Sequence, residues 1–246
     1  MTSPSPADLR AGFAELHAAG GFVLPNAWDR GTLLRFTERG YPAVATTSAG
    51  YGRSIGKDDQ EVTLDELVAH VADLAAVATV PINVDSERLF PDGPGGITGT
   101  VDALADAGAS GVSIEDYDPV SSSIVDRGAA TEAVGEAAEA CARHGITLTA
   151  RAENFLYGVD DLDDTLERLV AYREAGARCL YAPGPTDSDA IRAIVDAAGD
   201  AAVNVLTMPG GPRSGDLFEL GVRRVSTGSW LHHAAMQAVD AALDNV

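Results

Sequence analysis

Lysine is nearly absent from this sequence, and cysteine is scarce. Lys57 is the only lysine among 17 basic residues, and the two cysteines, Cys141 and Cys179, have no metal-ligand spacing. A Schiff-base aldolase needs a lysine amine in its pocket, and Lys57 falls in a polar loop, so that mechanism is not expected. We expect both cysteines to be small buried apolar residues.

Positive charge and long apolar runs are also in short supply. The 17 Lys and Arg face 37 Asp and Glu, which gives a formal charge of -20. Nucleic acids and anionic membranes need a basic surface, so neither is expected as a partner. No run approaches the roughly 18 apolar residues that span a bilayer, and residues 1–6 lack the regions of a signal peptide. We therefore expect a cytoplasmic protein.

One local signal recurs along the chain: a helical stretch, a glycine and a short β-branched strand. Glycine ends a helix well because it adopts the left-handed conformation without penalty. Three further strand candidates bring the number of strands to eight, and eight strands alternating with helices predict a (β/α)₈ barrel. The signal glycines are Gly40, Gly108, Gly145, Gly176 and Gly221, and the further strands are Phe22–Leu24, 81–84 and 202–206. A doubly wound sheet is the alternative, although no G-x-G-x-x-G follows the first strand.

We expect residues 1–246 to form a single barrel domain, since α/β barrels commonly have this length. The Pro/Gly-rich patches at 90–99 and 208–214 are short enough to be loops between strands and helices. An extra N-terminal helix over Pro6–Ala19 would close the bottom of the barrel. Later helices are predicted over residues 63–77, 100–107, 128–143, 160–175 and 229–243.

Two of the predicted strands end in carboxylates. Asp85 and Glu87 follow one strand at a spacing that shares a face, and Glu115 and Asp116 end the next. Carboxylates gathered at strand ends repel one another unless a cation neutralises them, and an oxygen-only cluster suits Mg²⁺ or Mn²⁺. Solvated loop acids or strand-end caps would explain the same pattern. The residues alone do not decide between these two interpretations.

The other strand ends are polar as well, and in such barrels the active site lies at the carboxyl ends of the strands. Only one cation occurs among them, Arg151. A pocket built for a metal and a small carboxylate would use an arginine to hold that carboxylate with two parallel hydrogen bonds.

Taken in order, these segments resemble the isocitrate lyase and phosphoenolpyruvate mutase superfamily, especially its short phosphonomutase-like members. The matching segments are 24–29, 45–50, 84–87, 113–116, 149–154 and 204–206. The resemblance implies an enzyme that cleaves or forms a C–C or P–C bond in a small α-oxo or α-hydroxy carboxylate through a metal-stabilised enolate. It also implies a homo-oligomer, a dimer or tetramer, because family members exchange their eighth helix between subunits.

The resemblance carries site roles onto individual residues of this chain. Mg²⁺ or Mn²⁺ would be held by Asp85, Glu87 and Glu115. The substrate carboxylate would be held by Ser48, Ala49, Gly50 and Arg151, with an amide contact from Asn204. Asp58 matches an aspartate on the gating loop after the second strand, and it would act with Arg151 in catalysis.

The chain also departs from the family's pattern. Family lyases carry a cysteine acid in a lid after the fourth strand, where this chain has Pro119–Ile124, and mutases place an asparagine near Ser123. Lyases present a glutamate where Pro183 stands. A glycine-rich turn normally follows the second metal ligand, and here it is replaced by Arg88–Gly93. These departures predict a poor isocitrate or methylisocitrate lyase and leave the turn's geometry open.

Two other functions fit the same sequence. A sugar-phosphate barrel enzyme would cradle phosphate with residues 208–211 and 226–229, although ordinary turns explain these glycines better. A non-catalytic barrel would keep the carboxylate site only to sense a ligand, which the altered lid allows.

Overall fold

Strands and helices alternate along residues 4–246, the part of the chain that this computed structural model describes. The strands are β1 (Phe22–Leu24), β2 (Asn26–Ala27), β3 (Val44–Thr46), β4 (Ile82–Val84), β5 (Gly111–Glu115), β6 (Tyr117–Asp118), β7 (Ser123–Ile124), β8 (Thr147–Arg151), β9 (Cys179–Tyr181), β10 (Ala202–Leu206) and β11 (Arg224–Ser226). The helices are α1 (Pro6–Ala19), α2 (Arg30–Glu38), α3 (Ser48–Ser54), α4 (Leu64–Ala75), α5 (Gly96–Ala107), α6 (Arg127–His144), α7 (Leu162–Glu174), α8 (Ser188–Ala198), α9 (Ser214–Glu219) and α10 (Trp230–Leu243).

Nine parallel strands form one barrel, in the order β1-β11-β10-β9-β8-β5-β4-β3-β2. Only Pro25 separates β1 from β2, so the two act as one barrel strand. Proline has no N–H to donate, but the carbonyl of Pro25 accepts from the Ala45 N–H at 2.9 Å. The chain therefore pairs with β11 before this proline and with β3 after it. The (β/α)₈ prediction is confirmed.

The predicted elements differ from the observed ones mainly at their ends. Strands β1 and β10 have the predicted bounds, and β5 and β8 extend to Glu115 and Arg151 and so include the polar residues at their carboxyl ends. Helix α5 begins at Gly96 rather than at Thr100, because its first turn is glycine-rich and carries no apolar periodicity. Helix α3 and the β6–β7 hairpin were not predicted. None of the helices within residues 4–246 combines the length and hydropathy of a membrane span.

Helix α1 closes the amino-terminal end of the barrel, as predicted. Phe13 and Leu16 pack against Phe22 and its neighbours inside the strands. Arg10 donates hydrogen bonds to the carbonyls of Ala105, Ala109 and His144, at 2.6 to 3.2 Å. Because these carbonyls lie at or just beyond the ends of α5 and α6, the guanidinium satisfies acceptors that the helices leave open. Helix α1 thus covers the end of the barrel opposite to the carboxyl ends of the strands.

Candidate active site

A cleft of about 240 Å³ opens at the carboxyl ends of the barrel strands. Near its mouth it is lined by Ser48, Asp85, Glu115 and Arg151, and Leu156, Tyr157 and Pro183 add an apolar wall. The cleft continues between the strands to Asn83, Thr149 and Arg224. The residues at its mouth come from separate strand ends, which parallel pairing brings to one edge.

Arg151 lies at the centre of a carboxylate cluster. Its Nη1 donates to Asp85 Oδ1 at 2.8 Å and lies 3.3 Å from Glu115 Oε2, while its Nε donates to Glu153 Oε1 at 2.6 Å. The register between β5 and β8 pairs Glu115 directly with Arg151. Burial alone would lower the pKa of Arg151, but Glu153, Glu115 and Asp85 together hold it well above its usual range. The guanidinium also lies 5.2 Å from the centre of the Tyr181 ring, a cation–π distance.

Asp85 joins this cluster to the start of α3. Its Oδ2 accepts hydrogen bonds from the Ser48 N–H at 3.0 Å and from the Ser48 hydroxyl at 2.9 Å. The Asp85 N–H in turn donates to Thr46 Oγ1 at 2.8 Å. One carboxylate thus binds both the predicted substrate-binding serine and the predicted substrate-binding arginine.

The site holds more carboxyl groups than the Arg151 guanidinium contacts. Besides Asp85, Glu115 and Glu153, Asp59 lines the cleft, and Glu87 lines a neighbouring pocket together with Gln60. Burial raises the pKa of Glu87 to about 8, with further contributions from Asp85 and Asp59. Burial likewise raises the pKa of Glu115 and of Glu153, against the opposing effect of Arg151. Carboxyl groups with raised pKa values resist ionisation, and a bound divalent cation would favour their charged form.

The carboxylate oxygens at this site are suitable metal ligands, but their side chains are not arranged around a common point. Glu115 donates its N–H to the Glu87 carbonyl at 2.9 Å, so the two predicted ligand positions are neighbours. As they stand, however, no three Asp, Glu, His or Cys side chains within residues 4–246 converge closely enough to hold an ion. Asp85 and Glu115 point at Arg151 instead. An all-oxygen donor set is nevertheless the kind that Mg²⁺ and Mn²⁺ prefer.

Three non-glycine residues in the turn after β4 have the left-handed backbone conformation that glycine favours. Glu87, Leu89 and Phe90 have φ values of 49°, 58° and 45°. Left-handed backbone at a residue with a side chain costs roughly 1–3 kcal/mol and persists only where the surroundings impose it. Leu89 is fully buried and supplies that anchor. Strain is therefore held directly beside Asp85 and Glu87.

The family pattern indicates Asp58 in the loop between α3 and α4, but Asp59 and Gln60 are the loop residues that line the cleft. Asp58 is exposed, and its N–H donates to Glu61 Oε2 at 3.0 Å. Asp59 is also exposed, but it lines the cleft 3.4 Å from the Ser48 hydroxyl, and partial desolvation together with Asp85 raises its pKa. Gln60, with φ at 67°, donates from Nε2 to Glu115 Oε1 at 2.9 Å. A left-handed residue redirects the following side chains, and sequence alone gave no sign of it at this glutamine.

The residues predicted to bind the substrate carboxylate differ in whether they line the cleft and whether their polar groups are already hydrogen-bonded. Ser48 and Ala49 line the cleft, whereas the Gly50 N–H donates to Thr47 Oγ1 at 3.2 Å within α3. Asn204 lines the cleft, but both ends of its amide are engaged. Its Oδ1 accepts from Arg224 Nε and its Nδ2 donates to Ser226 Oγ, each at 2.9 Å.

A second set of buried polar residues supports Arg151 from behind. Asp116 turns away from the cleft and accepts from the Glu153 N–H at 2.8 Å, the Tyr172 hydroxyl at 2.6 Å and Arg168 Nη1 at 3.1 Å. Through Glu153 this carboxylate orients Arg151. The helical partners Arg168 and Tyr172 were not predicted from the sequence. Polar residues four apart on α7, at 164, 168 and 172, were the available signal.

The stretch that replaces the family's lid forms the β6–β7 hairpin. Ser121 donates to Asp118 Oδ2 at 2.6 Å, and Ser123 lies on the exposed side. Both cysteines are buried as predicted, and burial raises the pKa of Cys141 to about 12. Neither of them lines the cleft. Within the described residues, no thiol is placed to donate a proton there.

The chain is similar to known proteins over nearly its whole length. The sequence pattern of the family described as phosphoenolpyruvate phosphomutase matches residues 13–246. An uncharacterized protein of Mycobacterium tuberculosis is 32% identical over 229 residues, covering 92% of this chain and 85% of that protein. An oxaloacetate decarboxylase of Rhodopseudomonas palustris is 29% identical over 189 residues, covering 73% and 62%. A solved structure from Burkholderia cenocepacia, whose lyase or mutase activity is itself inferred, is 43% identical with a TM-score of 0.92, covering 97% and 88%.

Proposed function

Because this chain belongs to the phosphoenolpyruvate phosphomutase family, within the isocitrate lyase/phosphoenolpyruvate mutase superfamily, we propose that it is a Mg²⁺- or Mn²⁺-dependent enzyme of small α-oxo or α-hydroxy carboxylates. The reaction cleaves or forms a C–C or P–C bond. The observation that carries the proposal is Arg151 amid the carboxylates of Asp85, Glu115 and Glu153 at the mouth of the cleft. Such a cluster joins a carboxylate-binding cation to ligands for a hard metal.

Each group has a distinct proposed role. When bound to Asp85, Glu87 and Glu115, the metal would supply Lewis-acid stabilisation of an enolate. Arg151 would hold the substrate carboxylate, since its guanidinium is always charged and its planar fork fits two oxygens. Ser48, Ala49 and Gly50 would add contacts at the start of α3. Asp58 would act in catalysis from the loop between α3 and α4. We also propose that the protein is cytoplasmic.

We expect this protein to be a poor isocitrate or methylisocitrate lyase. Those reactions need an acid to protonate the departing carbanion, and a missing general acid costs about 10²–10⁴-fold in rate. The serines at 121–123 cannot replace a thiol, since their hydroxyls are far weaker acids, and the hairpin holds Ser121 on Asp118. Cleavage of oxaloacetate-like and phosphonopyruvate-like substrates produces an enolate directly, so these reactions depend less on a general acid.

The test is a panel of these acids with Mg²⁺, with NMR detection of pyruvate, oxalate, glyoxylate and phosphate and with Arg151→Ala as the blank. We expect turnover of an α-oxo acid and little glyoxylate from isocitrate. Efficient glyoxylate release would contradict the expected preference. No product from any acid would instead favour a non-catalytic carboxylate-binding barrel.

We also propose that the protein is a homo-oligomer assembled through α10. The outer half of this helix presents Met236, Val239 and Leu243, which are 42%, 49% and 65% exposed. A contiguous apolar stripe on one helix face is typical of a buried interface.

Light scattering should give at least twice the 25.4 kDa of one chain. Leu243→Glu should lower that mass, while Gln237→Glu, on the other side of the helix, should not. A monomeric wild type at micromolar concentration would refute this.

A further inference from the structure

Leu156 and Tyr157 are large side chains that remain exposed where they line the cleft. They are 49% and 38% exposed, and Pro183 continues the same wall from the loop after β9. Single apolar residues are common on a protein surface, but a contiguous set inside a cleft is typical of a ligand-binding site. The proposed binding of a carboxylate at Arg151 does not use these three side chains. A larger ligand in the same cleft would cover them.

The two loops that carry this wall are packed directly against each other. Gly184 has a φ of 119°, and a Cβ at this position would lie 2.6 Å from Phe155 Cβ, so only glycine allows so close an approach. The Tyr157 N–H donates to the Glu153 carbonyl at 3.1 Å, which closes the other loop into a helical turn. The wall is therefore preformed, and preformed sites lose less conformational entropy when a ligand binds.

The Tyr157 ring is fixed from the side of the β6–β7 hairpin, and it faces negative charge. It stacks on Tyr117, with the ring centres 3.4 Å apart and the planes 5° from parallel. Burial raises the pKa of the Tyr157 hydroxyl, and the nearby Glu115, Glu153 and Asp59 raise it further. These carboxylates would repel a second anionic group of a ligand, whereas they would not repel a hydrocarbon group.

We propose that Leu156, Tyr157 and Pro183 form an apolar subsite, which binds an uncharged hydrocarbon substituent of the carboxylate that is held at Arg151. The inference rests on the proposed function for the Arg151 end only. It narrows the ligand to an α-oxo or α-hydroxy acid with an alkyl side chain, and it names Leu156 as a residue that selects this side chain. Leucine and proline side chains have no hydrogen-bonding atoms, so they favour a ligand that buries apolar surface against them.

The experiment measures the affinities of α-oxo monoacids of increasing length by calorimetry with Mg²⁺ present. The ligands are pyruvate, 2-oxobutyrate and 2-oxopentanoate. Each buried methylene should tighten binding about fourfold, so 2-oxopentanoate should bind roughly tenfold or more tightly than pyruvate. Leu156→Asn, which replaces the apolar group by a polar one of similar size, should remove most of that gain. Val159→Asn changes an exposed apolar residue of the same loop that lies outside the cleft, and it should preserve the gain.

Oxalate separates this proposal from the proposed function, because it has no side chain. Both variants should bind oxalate as wild type does, since Leu156 and Val159 are largely exposed and contribute little to the packed interior. If oxalate binds but affinity does not rise with chain length, the subsite is wrong and the proposed function stands. If wild type binds neither oxalate nor any α-oxo acid, both proposals fail.

Two further outcomes would overturn the subsite. The first is an equal gain with chain length in wild type and in Leu156→Asn. The second is an unchanged affinity along the series together with a lower oligomer mass for Leu156→Asn in light scattering. That result would assign the wall to an interface with a second copy of the chain.

Discussion

Replacing Arg151 with methionine is expected to abolish turnover and to destabilise the protein at neutral pH. Turnover should fall by at least about 10²–10³-fold, the usual effect of removing one group that stabilises developing negative charge. The same change leaves Asp85, Glu115 and Glu153 without their shared cation. Removing one partner of a buried ion pair costs roughly 3–5 kcal/mol, which for a chain of this size lowers the melting temperature by about 6–20 °C.

The loss of stability should depend on pH in a definite direction. Burial raises the pKa of Glu115 and Glu153 above their unfolded values, so their contribution to stability is greatest when they are protonated. It is lost as the pH rises through the raised pKa. Without Arg151 the pKa values rise further, and the variant should therefore lose more stability at about pH 8 than at about pH 5.

Thermal unfolding at both pH values, together with the substrate panel, measures these effects. Arg178→Met is the matched control, because Arg178 is exposed and lies outside the cleft. A folded Arg151→Met protein with wild-type stability and turnover would show that the carboxylate cluster neither needs nor uses this guanidinium.

Replacing Asp85 with alanine should abolish Mg²⁺ or Mn²⁺ binding. Mutating only the residues that support a metal ligand costs about 10–100-fold in affinity, so losing a ligand should cost more. Asp85 also fixes Ser48 and Arg151 through bonds of 2.8 to 3.0 Å, so the change disorders the substrate contacts as well. The proposed site therefore depends on this carboxylate both as a metal ligand and as the partner of Ser48 and Arg151.

Calorimetric titration with each metal decides the assignment, and Asp196→Ala provides the same loss of charge on an exposed face of α8. If Asp85→Ala retains wild-type affinity, the proposed ligand set is wrong. If the control also loses affinity, the metal is bound through the general negative charge of the protein and not at one site.

Much of the fold could be predicted because its signals are local. A glycine that ends a helix and a β-branched run that follows it depend on a few neighbouring residues, and this signal located five of the eight strands. The helical spacing of apolar residues, which is also local, located the helix that closes the barrel. The elements that could not be predicted are too short to carry a local sequence pattern. Helix α3 is only seven residues long and lacks apolar periodicity, and the β6–β7 pairing joins two strands of two residues each.

The sequence by itself determined that Asp85, Glu115 and Arg151 would meet, because each ends a parallel strand and barrel closure brings such ends to one rim. Only the tertiary structure decided which side chains face the cleft and what they bind there. Asp59 and Gln60, and not Asp58, line the cleft; Asp116 turns outward to Tyr172, and Asn204 is held by Arg224. Backbone pairing follows from local conformational preference, whereas the partner of a buried polar side chain depends on distances across the barrel and on the cost of leaving charge without water.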